Sequence, residues 1–150
     1  MKSPNLTLVE SVCAAWERGD YGATGWADPD LEFVVADGPA PIRTTGLSGM
    51  AGGWRKWLHV WDDFRQEVDE LRELDDGRIL VLFRVSGRGR TSGLSLAELG
   101  GTMAAVFTVR DGKVTSFVGY VDPALALAEA RRAASPEADP PTPPAGGAGA

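Results

Sequence analysis

The sequence predicts an α+β fold, in which helices pack on one face of an antiparallel β-sheet. The chain opens on an amphipathic segment that has the spacing of a helix and ends near Gly19. Two turn signals, Asp75-Asp76-Gly77 and Arg110-Asp111-Gly112-Lys113, separate segments rich in β-forming residues, as in β-hairpins. An alanine-rich segment at 124–134 favours a closing helix. Strands that follow one another without intervening helices indicate an α+β fold and not a parallel α/β sheet.

The first predicted helix begins near Ser3 or Asn5, because either side chain can cap a helix N-terminus. Gly19 is a natural C-cap. A second, short helical segment is expected next, and Asp28-Pro29-Asp30 then marks a turn before a strand at 31–36. The apolar face of the first helix consists of Val9, Val12, Cys13 and Trp16.

The next predicted helix carries an aromatic stripe. Ser48 is its expected N-cap, and Gly52 and Gly53 weaken its first turn. Three tryptophans on one stripe provide more apolar area than a surface helix needs, since each aromatic side chain can bury about 150–250 Å². The stripe therefore either seals the core or also faces a cavity. The residues that follow helical spacing are Met50, Trp54, Trp57, Leu58, Trp61 and Phe64.

The second half of the chain is predicted to be mostly β-structure. Residues 64–74 fit a helix as well as a strand, and the hairpin signal that follows them favours a strand. Asp122-Pro123 is an N-cap followed by proline at the first helical position, which begins the closing helix. The other predicted strands are 78–85, 104–109 and 114–121.

The C-terminal segment 133–150 differs in composition from the rest of the chain. It holds five of the ten prolines and ends in a run of alanine and glycine. It contains no aromatic or branched aliphatic residue, so it cannot bury enough apolar surface to offset its ordering entropy. We expect this segment to be disordered, which leaves one domain at residues 1–132.

Composition argues against several classes of partner. The formal net charge is −6, and an acidic surface repels phosphate backbones and anionic membranes, so we expect neither nucleic acid nor a membrane as a partner. Residues 1–5 lack the apolar core of a signal peptide, which favours a cytoplasmic location. Cys13 is the only cysteine and His59 the only histidine. The chain therefore offers no disulfide and no cysteine cluster for zinc, and we expect no metal and no cofactor.

The order and spacing of several short motifs resemble the SnoaL-like branch of the nuclear transport factor 2-like superfamily over about residues 5–132. The matching motifs are Trp16-Glu17-Arg18-Gly19-Asp20, Asp28-Pro29-Asp30, Gly46-Leu47-Ser48-Gly49-Met50, Gly87-Arg88-Gly89-Arg90-Thr91-Ser92-Gly93, Arg110-Asp111-Gly112-Lys113-Val114 and Tyr120-Val121-Asp122. The resemblance implies a curved antiparallel sheet wrapped with N-terminal helices into a cone around a pocket, the cystatin-like α+β barrel. It also implies a homodimer through the outer face of the sheet. The superfamily contains enzymes and proteins without catalysis, so this fold does not settle function.

The resemblance extends to the ketosteroid isomerases, whose catalytic positions can be compared one at a time. Those enzymes use a Tyr on the first helix, an Asp base at the end of the first strand and a protonated Asp on a late strand. The matching positions here are Val12, Val34 and Ala105. Because these side chains neither donate nor accept a proton, isomerase chemistry is predicted to be absent. A shift of register would bring Asp37 to the base position, and Asp122 could reach the pocket mouth, although a turn and a helix cap account for these two residues.

A glycine-rich segment, Gly87-x-Gly89-x-x-Ser92-Gly93, looks like a phosphate-binding loop. It follows a strand, but no helix comes after it to hold a phosphate at its N-terminus. We interpret these glycines as permitting a bulge or a close backbone approach. His59 lies on the opposite side of its helix from the aromatic stripe and is expected in solvent.

We therefore expect a protein that binds a small hydrophobic molecule in an apolar, tryptophan-lined pocket. The alternative is an enzyme of the polyketide cyclase, isomerase or epoxide hydrolase type with a relocated acid/base group. A third hypothesis is a purely structural dimer whose tryptophan stripe packs solid. The residues expected to line the pocket are Val12, Trp16, Val34, Trp54, Trp57, Trp61, Ala105 and Tyr120.

Overall fold

A computed structural model describes residues 3–38, 41–74 and 77–134 of the chain. Its elements, in chain order, are α1 (Pro4–Glu17), β1 (Ala27–Val35), β2 (Ile42–Thr45), α2 (Gly46–Val60), β3 (Trp61–Glu73), β4 (Arg78–Gly89), a short 3₁₀ helix (Leu96–Leu99), β5 (Thr102–Arg110), β6 (Lys113–Tyr120) and α3 (Pro123–Ala134). The expected disordered tail lies outside the described residues from position 135 onwards, while its first two residues belong to α3. None of the described helices has both the length and the apolar composition that crossing a bilayer would require.

The six strands form one curved, unclosed sheet in the order β2-β1-β6-β5-β4-β3, which confirms the α+β fold class. All neighbouring strands are antiparallel except β1 and β6, which run parallel. The predicted hairpins β3–β4 and β5–β6 are both present. Register shifts in β1 and β3 mark bulges, which bend strands and help the sheet to curve.

Helix α1 follows its prediction closely. The Ser3 hydroxyl accepts a hydrogen bond from the backbone N–H of Leu6 at 3.1 Å and caps the helix. Gly19 follows the helix in a left-handed conformation, with φ of +81°. The four residues of the predicted apolar face are all buried, so α1 packs this face against the inner side of the sheet.

Helix α2 differs from its prediction at both ends. Its N-cap is Thr45 and not Ser48, and it ends at Val60, so Trp61 begins β3. The chain leaves the helix there because the sequence changes to the two-residue alternation of a strand with Phe64 on its inner side. The aromatic stripe continues across the junction, since the Trp57 ring lies 5.6 Å from that of Trp61 and 5.7 Å from that of Phe64.

The short second helix expected after α1 is absent from the described residues, where positions 20–26 form an irregular loop. Gly22 and Gly25 lie inside this loop, and glycine disfavours helix because of the backbone entropy it loses. The loop instead places the Tyr21 ring against Trp54, with centroids 4.5 Å apart.

The helices lie on both faces of the sheet, which corrects the expectation that they share one face. Helices α1 and α2 cover the inner face, and α3 covers part of the outer face. Alternating residues of β4 and β5 leave Leu80, Ala104 and Val106 on the outer side, where they need an apolar cover. Ala126 and Ala130 of α3 supply that cover, and their small side chains permit close packing.

Candidate functional site

Aromatic side chains fill part of the core beside the inner face of the sheet. Trp16 is 3% exposed and stands at the centre of this cluster. The ring centroids around it lie between 4.8 and 6.3 Å away and belong to Tyr21, Trp26, Trp54, Phe107 and Phe117. These distances are those of directly packed rings, so no ligand-sized space remains here.

A small apolar cavity lies beside this cluster, between α2 and the inner face of the sheet. Its volume is about 40 Å³, which has room for about three water molecules. Known small-molecule pockets measure roughly 300–1,000 Å³, so this cavity is much smaller than a bound ring requires. Its lining consists of Phe33, Val35, Trp54, Trp57, Phe64, Gln66, Phe83, Met103, Ala104, Ala105, Phe117, Gly119, Tyr120 and Val121.

Four of the eight residues predicted to line a pocket meet at this cavity. Trp54 and Trp57 reach it from α2, and Ala105 reaches it from the inner side of β5. Tyr120 borders it at the end of β6, although its side chain also packs on the outer-face cluster beneath α3.

The other four predicted residues do not line the cavity. Val12 and Trp16 are buried in the core behind it. Val34 occupies the opposite side of β1 from Phe33, because neighbouring strand residues point to opposite faces. Trp61 is buried in the wall of a separate groove, between the end of α2 and the loop after β4.

Gln66 and Trp54 are two of the residues that bring polar groups to the cavity wall. The Gln66 side chain donates a hydrogen bond from Nε2 to the Tyr21 hydroxyl at 3.3 Å. The Trp54 indole N–H is buried and has no hydrogen-bond acceptor within the described part of the chain. An unpaired buried N–H costs about 1–3 kcal/mol, so this group favours any occupant that brings an acceptor.

The titratable groups near the cavity are phenols. Burial raises the pKa of Tyr120, and the nearby Glu129 carboxylate raises this pKa further. Burial also raises the pKa of Tyr21, partly offset by the hydrogen bond from Gln66. The described lining contains no carboxylate, imidazole, amine or thiol, and no cluster of metal-ligating side chains occurs among the described residues.

The sequence profile of the SnoaL-like domain matches residues 9–117. The chain belongs to this family. No curated protein matches it. The SnoaL-like domain is also similar to solved structures that share its fold. An NTF2-like protein from Burkholderia thailandensis is 25% identical with a TM-score of 0.67, over 87% of this chain and 98% of that one.

Two further solved structures are similar to this SnoaL-like domain. A provisionally assigned polyketide cyclase from Xanthomonas campestris pv. campestris is 22% identical with a TM-score of 0.60, over 85% of this chain and 96% of that one. TerC, co-crystallised with polyporic acid, is 23% identical with a TM-score of 0.63, over 85% and 98% of the two chains. At these identities the likeness concerns the fold alone.

The two carboxylates considered as acid/base candidates both accept hydrogen bonds from backbone N–H groups in this SnoaL-like domain. The Asp37 carboxylate accepts hydrogen bonds from the backbone N–H of Val121 at 2.7 Å and of Asp122 at 3.0 Å. The Asp122 carboxylate accepts one from the N–H of Ala124 at 3.0 Å, at the start of α3. Asp37 therefore ties the end of β1 to the end of β6, and Asp122 caps α3.

We expect Asp37→Ala to lower the free energy of unfolding by about 1–3 kcal/mol, because two backbone N–H groups lose a charged acceptor. Asp37→Asn keeps one side-chain oxygen, so it should lower the free energy of unfolding by less than Asp37→Ala does. Urea denaturation of the two variants measures the difference. Full stability in Asp37→Ala, together with an altered ligand affinity, would contradict this structural role.

Several lining residues of the SnoaL-like domain escaped the sequence analysis. Phe33, Phe83, Met103 and Phe117 lie on the inner side of their strands, and a two-residue alternation could have identified them. Phe64 and Gln66 were harder to find, because residues 64–74 also fit a helical pattern.

Proposed function

We propose that this SnoaL-like domain binds a small aromatic molecule that carries a hydrogen-bond acceptor, with its ring against Trp54 and Trp57. The observation that carries the proposal is the Trp54 indole N–H, which is buried without an acceptor in the wall of an apolar cavity. A ligand carbonyl or hydroxyl oxygen would accept its hydrogen bond and remove the cost of leaving it unpaired.

Binding a ring requires the cavity to enlarge at its mouth. The half-buried side chains Phe64, Gln66, Tyr120 and Val121 form this side of the lining. The aromatic cluster on the other side is fully packed, so it resists displacement. The 3.3 Å contact between Gln66 and Tyr21 is long for a hydrogen bond, and breaking it would cost little.

The chemistry of the cavity wall favours binding over catalysis. One similar structure was co-crystallised with polyporic acid, which supports ligand binding, whereas another is provisionally assigned as a polyketide cyclase, which is in line with the enzyme alternative. An enzyme of the cyclase, isomerase or epoxide hydrolase type would need a proton acceptor, and the described cavity lining provides no carboxylate or imidazole for that role. Tyr120, with its raised pKa, stays protonated at neutral pH, so its hydroxyl can donate or accept a hydrogen bond but cannot act as a base.

Trp54→Phe tests the proposal, because it removes the indole N–H and keeps an aromatic ring. We expect 2-acetylnaphthalene to bind the wild type and to bind Trp54→Phe about 3- to 10-fold more weakly, which corresponds to one neutral hydrogen bond. Its analogue 2-ethylnaphthalene, which lacks the carbonyl, should bind both proteins equally. Isothermal titration calorimetry measures the four affinities.

Trp26→Phe is the matched control for this experiment. Trp26 does not line the cavity, and its indole N–H already donates to the Ala23 carbonyl at 2.8 Å. Its substitution should leave both affinities unchanged. The proposal fails if neither naphthalene derivative binds the wild type, or if Trp54→Phe weakens both derivatives to the same extent.

We also propose that the domain forms a homodimer through the outer face of the sheet. On this face Leu74 and Leu82 are half-buried and pack against the cluster beneath α3, and Val118 is a further half-buried apolar residue. Arg84 lies beside them and pairs with Glu67 at 3.0 Å. Light scattering on the purified protein should give the mass of a dimer, and a monomer at all concentrations would contradict this proposal.

A further inference from the structure

A second concave site lies between the end of α2, the loop after β4 and the residue after β6. Its volume is about 530 Å³, which falls within the range of small-molecule pockets. We name it the Arg90 groove, and its main lining residues are His59, Trp61, Arg90, Ser92, Leu94 and Val121. It contains most of the glycine-rich segment that the sequence analysis interpreted as a bulge.

The Arg90 guanidinium is held in a fixed direction at this groove. Its Nε donates to the Asp62 carboxylate at 2.9 Å, and its Nη1 lies 3.1 Å from His59 Nδ1. The backbone N–H of Arg90 donates to the Val60 carbonyl at 2.8 Å, which anchors the loop to the end of α2. Because a guanidinium can only donate, His59 accepts on Nδ1 and carries its proton on Nε2. Among the described residues, the side-chain hydrogen bonds of Arg90 are made through Nε and Nη1, and Nη2 is the remaining guanidinium nitrogen.

The apolar part of the groove includes an unpaired donor. Trp61 is 3% exposed, and its buried indole N–H has no hydrogen-bond acceptor among the described residues. Leu94, on the other side, is 38% exposed although it is a large apolar side chain. The groove thus combines apolar surface with hydrogen-bond donors on Trp61, Arg90 and His59.

We propose that the Arg90 groove binds an aromatic carboxylate. The ligand ring would lie against Leu94 and Val121, and its carboxylate would accept hydrogen bonds from Arg90 Nη2 and from the Trp61 indole N–H. Because Nε and Nη1 of Arg90 already have partners, the ligand would contact the guanidinium through Nη2 alone, and contacts between opposite charges are the stronger kind of hydrogen bond.

The position of Arg90 near the end of α2 has a simpler explanation, which is that a cation stabilises a helix C-terminus. That explanation accounts for the charge of Arg90. It does not account for the unpaired Trp61 N–H or for the exposed Leu94 beside it.

The experiment uses 2-naphthoate as the probe and 2-naphthamide as its uncharged analogue. The wild type should bind 2-naphthoate at least 10-fold more tightly than the amide. Arg90→Met should weaken the binding of 2-naphthoate by about 10-fold or more and leave the binding of 2-naphthamide unchanged, since the substitution removes only the charged guanidinium group. Arg110→Met is the matched control, because it makes the same change at the far end of the sheet, and it should change neither affinity.

Two-dimensional ¹H–¹⁵N NMR locates the bound probe. The chain has five tryptophans, and the indole signal of Trp61 is identified by its loss in Trp61→Phe. Binding of 2-naphthoate should shift the Trp61 indole signal and the Leu94 amide, and Trp54→Phe should leave its affinity unchanged. The inference is overturned if 2-naphthoate does not bind, if the amide binds equally well, if Arg90→Met binds normally, or if Trp54 shifts in place of Trp61. Arg90 is exposed, so its variant is expected to fold and the test does not depend on Trp61→Phe alone.

Discussion

Trp16→Ala is expected to lower the free energy of unfolding by about 3–5 kcal/mol, the cost of truncating a fully buried aromatic side chain. The Trp16 ring touches five other aromatic rings in the core, so its removal leaves a space that no single neighbour can fill. Small domains have about 5–15 kcal/mol of stability in total, so this variant should be close to unfolding.

Urea denaturation followed by far-ultraviolet circular dichroism measures this loss independently of tryptophan fluorescence. Trp26→Ala is the comparison, because Trp26 contacts Trp16 at 5.8 Å but is only half-buried. Trp26→Ala should lower the free energy of unfolding by clearly less than Trp16→Ala does. A loss below about 1 kcal/mol for Trp16→Ala would mean that the cluster is loosely packed, and it would then be an alternative place for a ligand.

Gly77→Ala should destabilise the fold by about 2–4 kcal/mol, from two effects that add. Gly77 has φ of +76°, where a residue with a Cβ atom is strained. A Cβ at this position would also lie 2.5 Å from the carbonyl oxygen of Val109. That oxygen belongs to the backbone of β5, where Val109 pairs with Val114 of β6, so it cannot move away without disturbing this pairing.

Gly112→Ala separates the two effects. Gly112 has almost the same conformation, with φ of +77°, but a Cβ there would meet nothing within 4 Å. It should therefore cost only the strain, about 1–2 kcal/mol. Thermal unfolding of both variants under the same conditions measures the difference. Equal losses in the two variants would show that the approach of Gly77 to β5 is unimportant.

The sequence predicted the local elements well and their spatial arrangement less well. The helix start at Ser3 or Asn5, the helix end near Gly19 and the turn at 110–113 are short-range signals. The structure caps α1 with Ser3, ends it with Arg18 as the C-cap just before Gly19, and has the predicted turn. The end of α2 at Val60 was not predicted, because Trp61 and Phe64 satisfy a helical spacing as well as a strand spacing. Periodicity alone cannot distinguish a helix from a strand when the aromatic residues occur near the junction of the two elements.

The site could be predicted only in part, for a similar reason. Trp54 and Trp57 were identified because helical periodicity places them on the buried side of α2. Val34 was placed in the pocket by comparison with a catalytic position, and a one-residue difference in strand register moves a side chain to the opposite face. The small volume of the cavity depends on how the rings around Trp16 pack against one another, which a sequence pattern does not specify.

The parallel pairing of β1 with β6 has a consequence for the order in which the protein folds. Val35 pairs with Gly119, so the first strand finds its central neighbour only after almost the whole described chain has been synthesised. The hairpins β3–β4 and β5–β6 join strands that are adjacent in the sequence and can form early. On the ribosome, α2 can pack on β1 and β2, and α1 on β3 and β4, but β1 stays without this neighbour in the sheet until β6 emerges. A nascent chain that stops before Lys113 lacks the strand that joins its two halves, and it should be a substrate for chaperones and proteases.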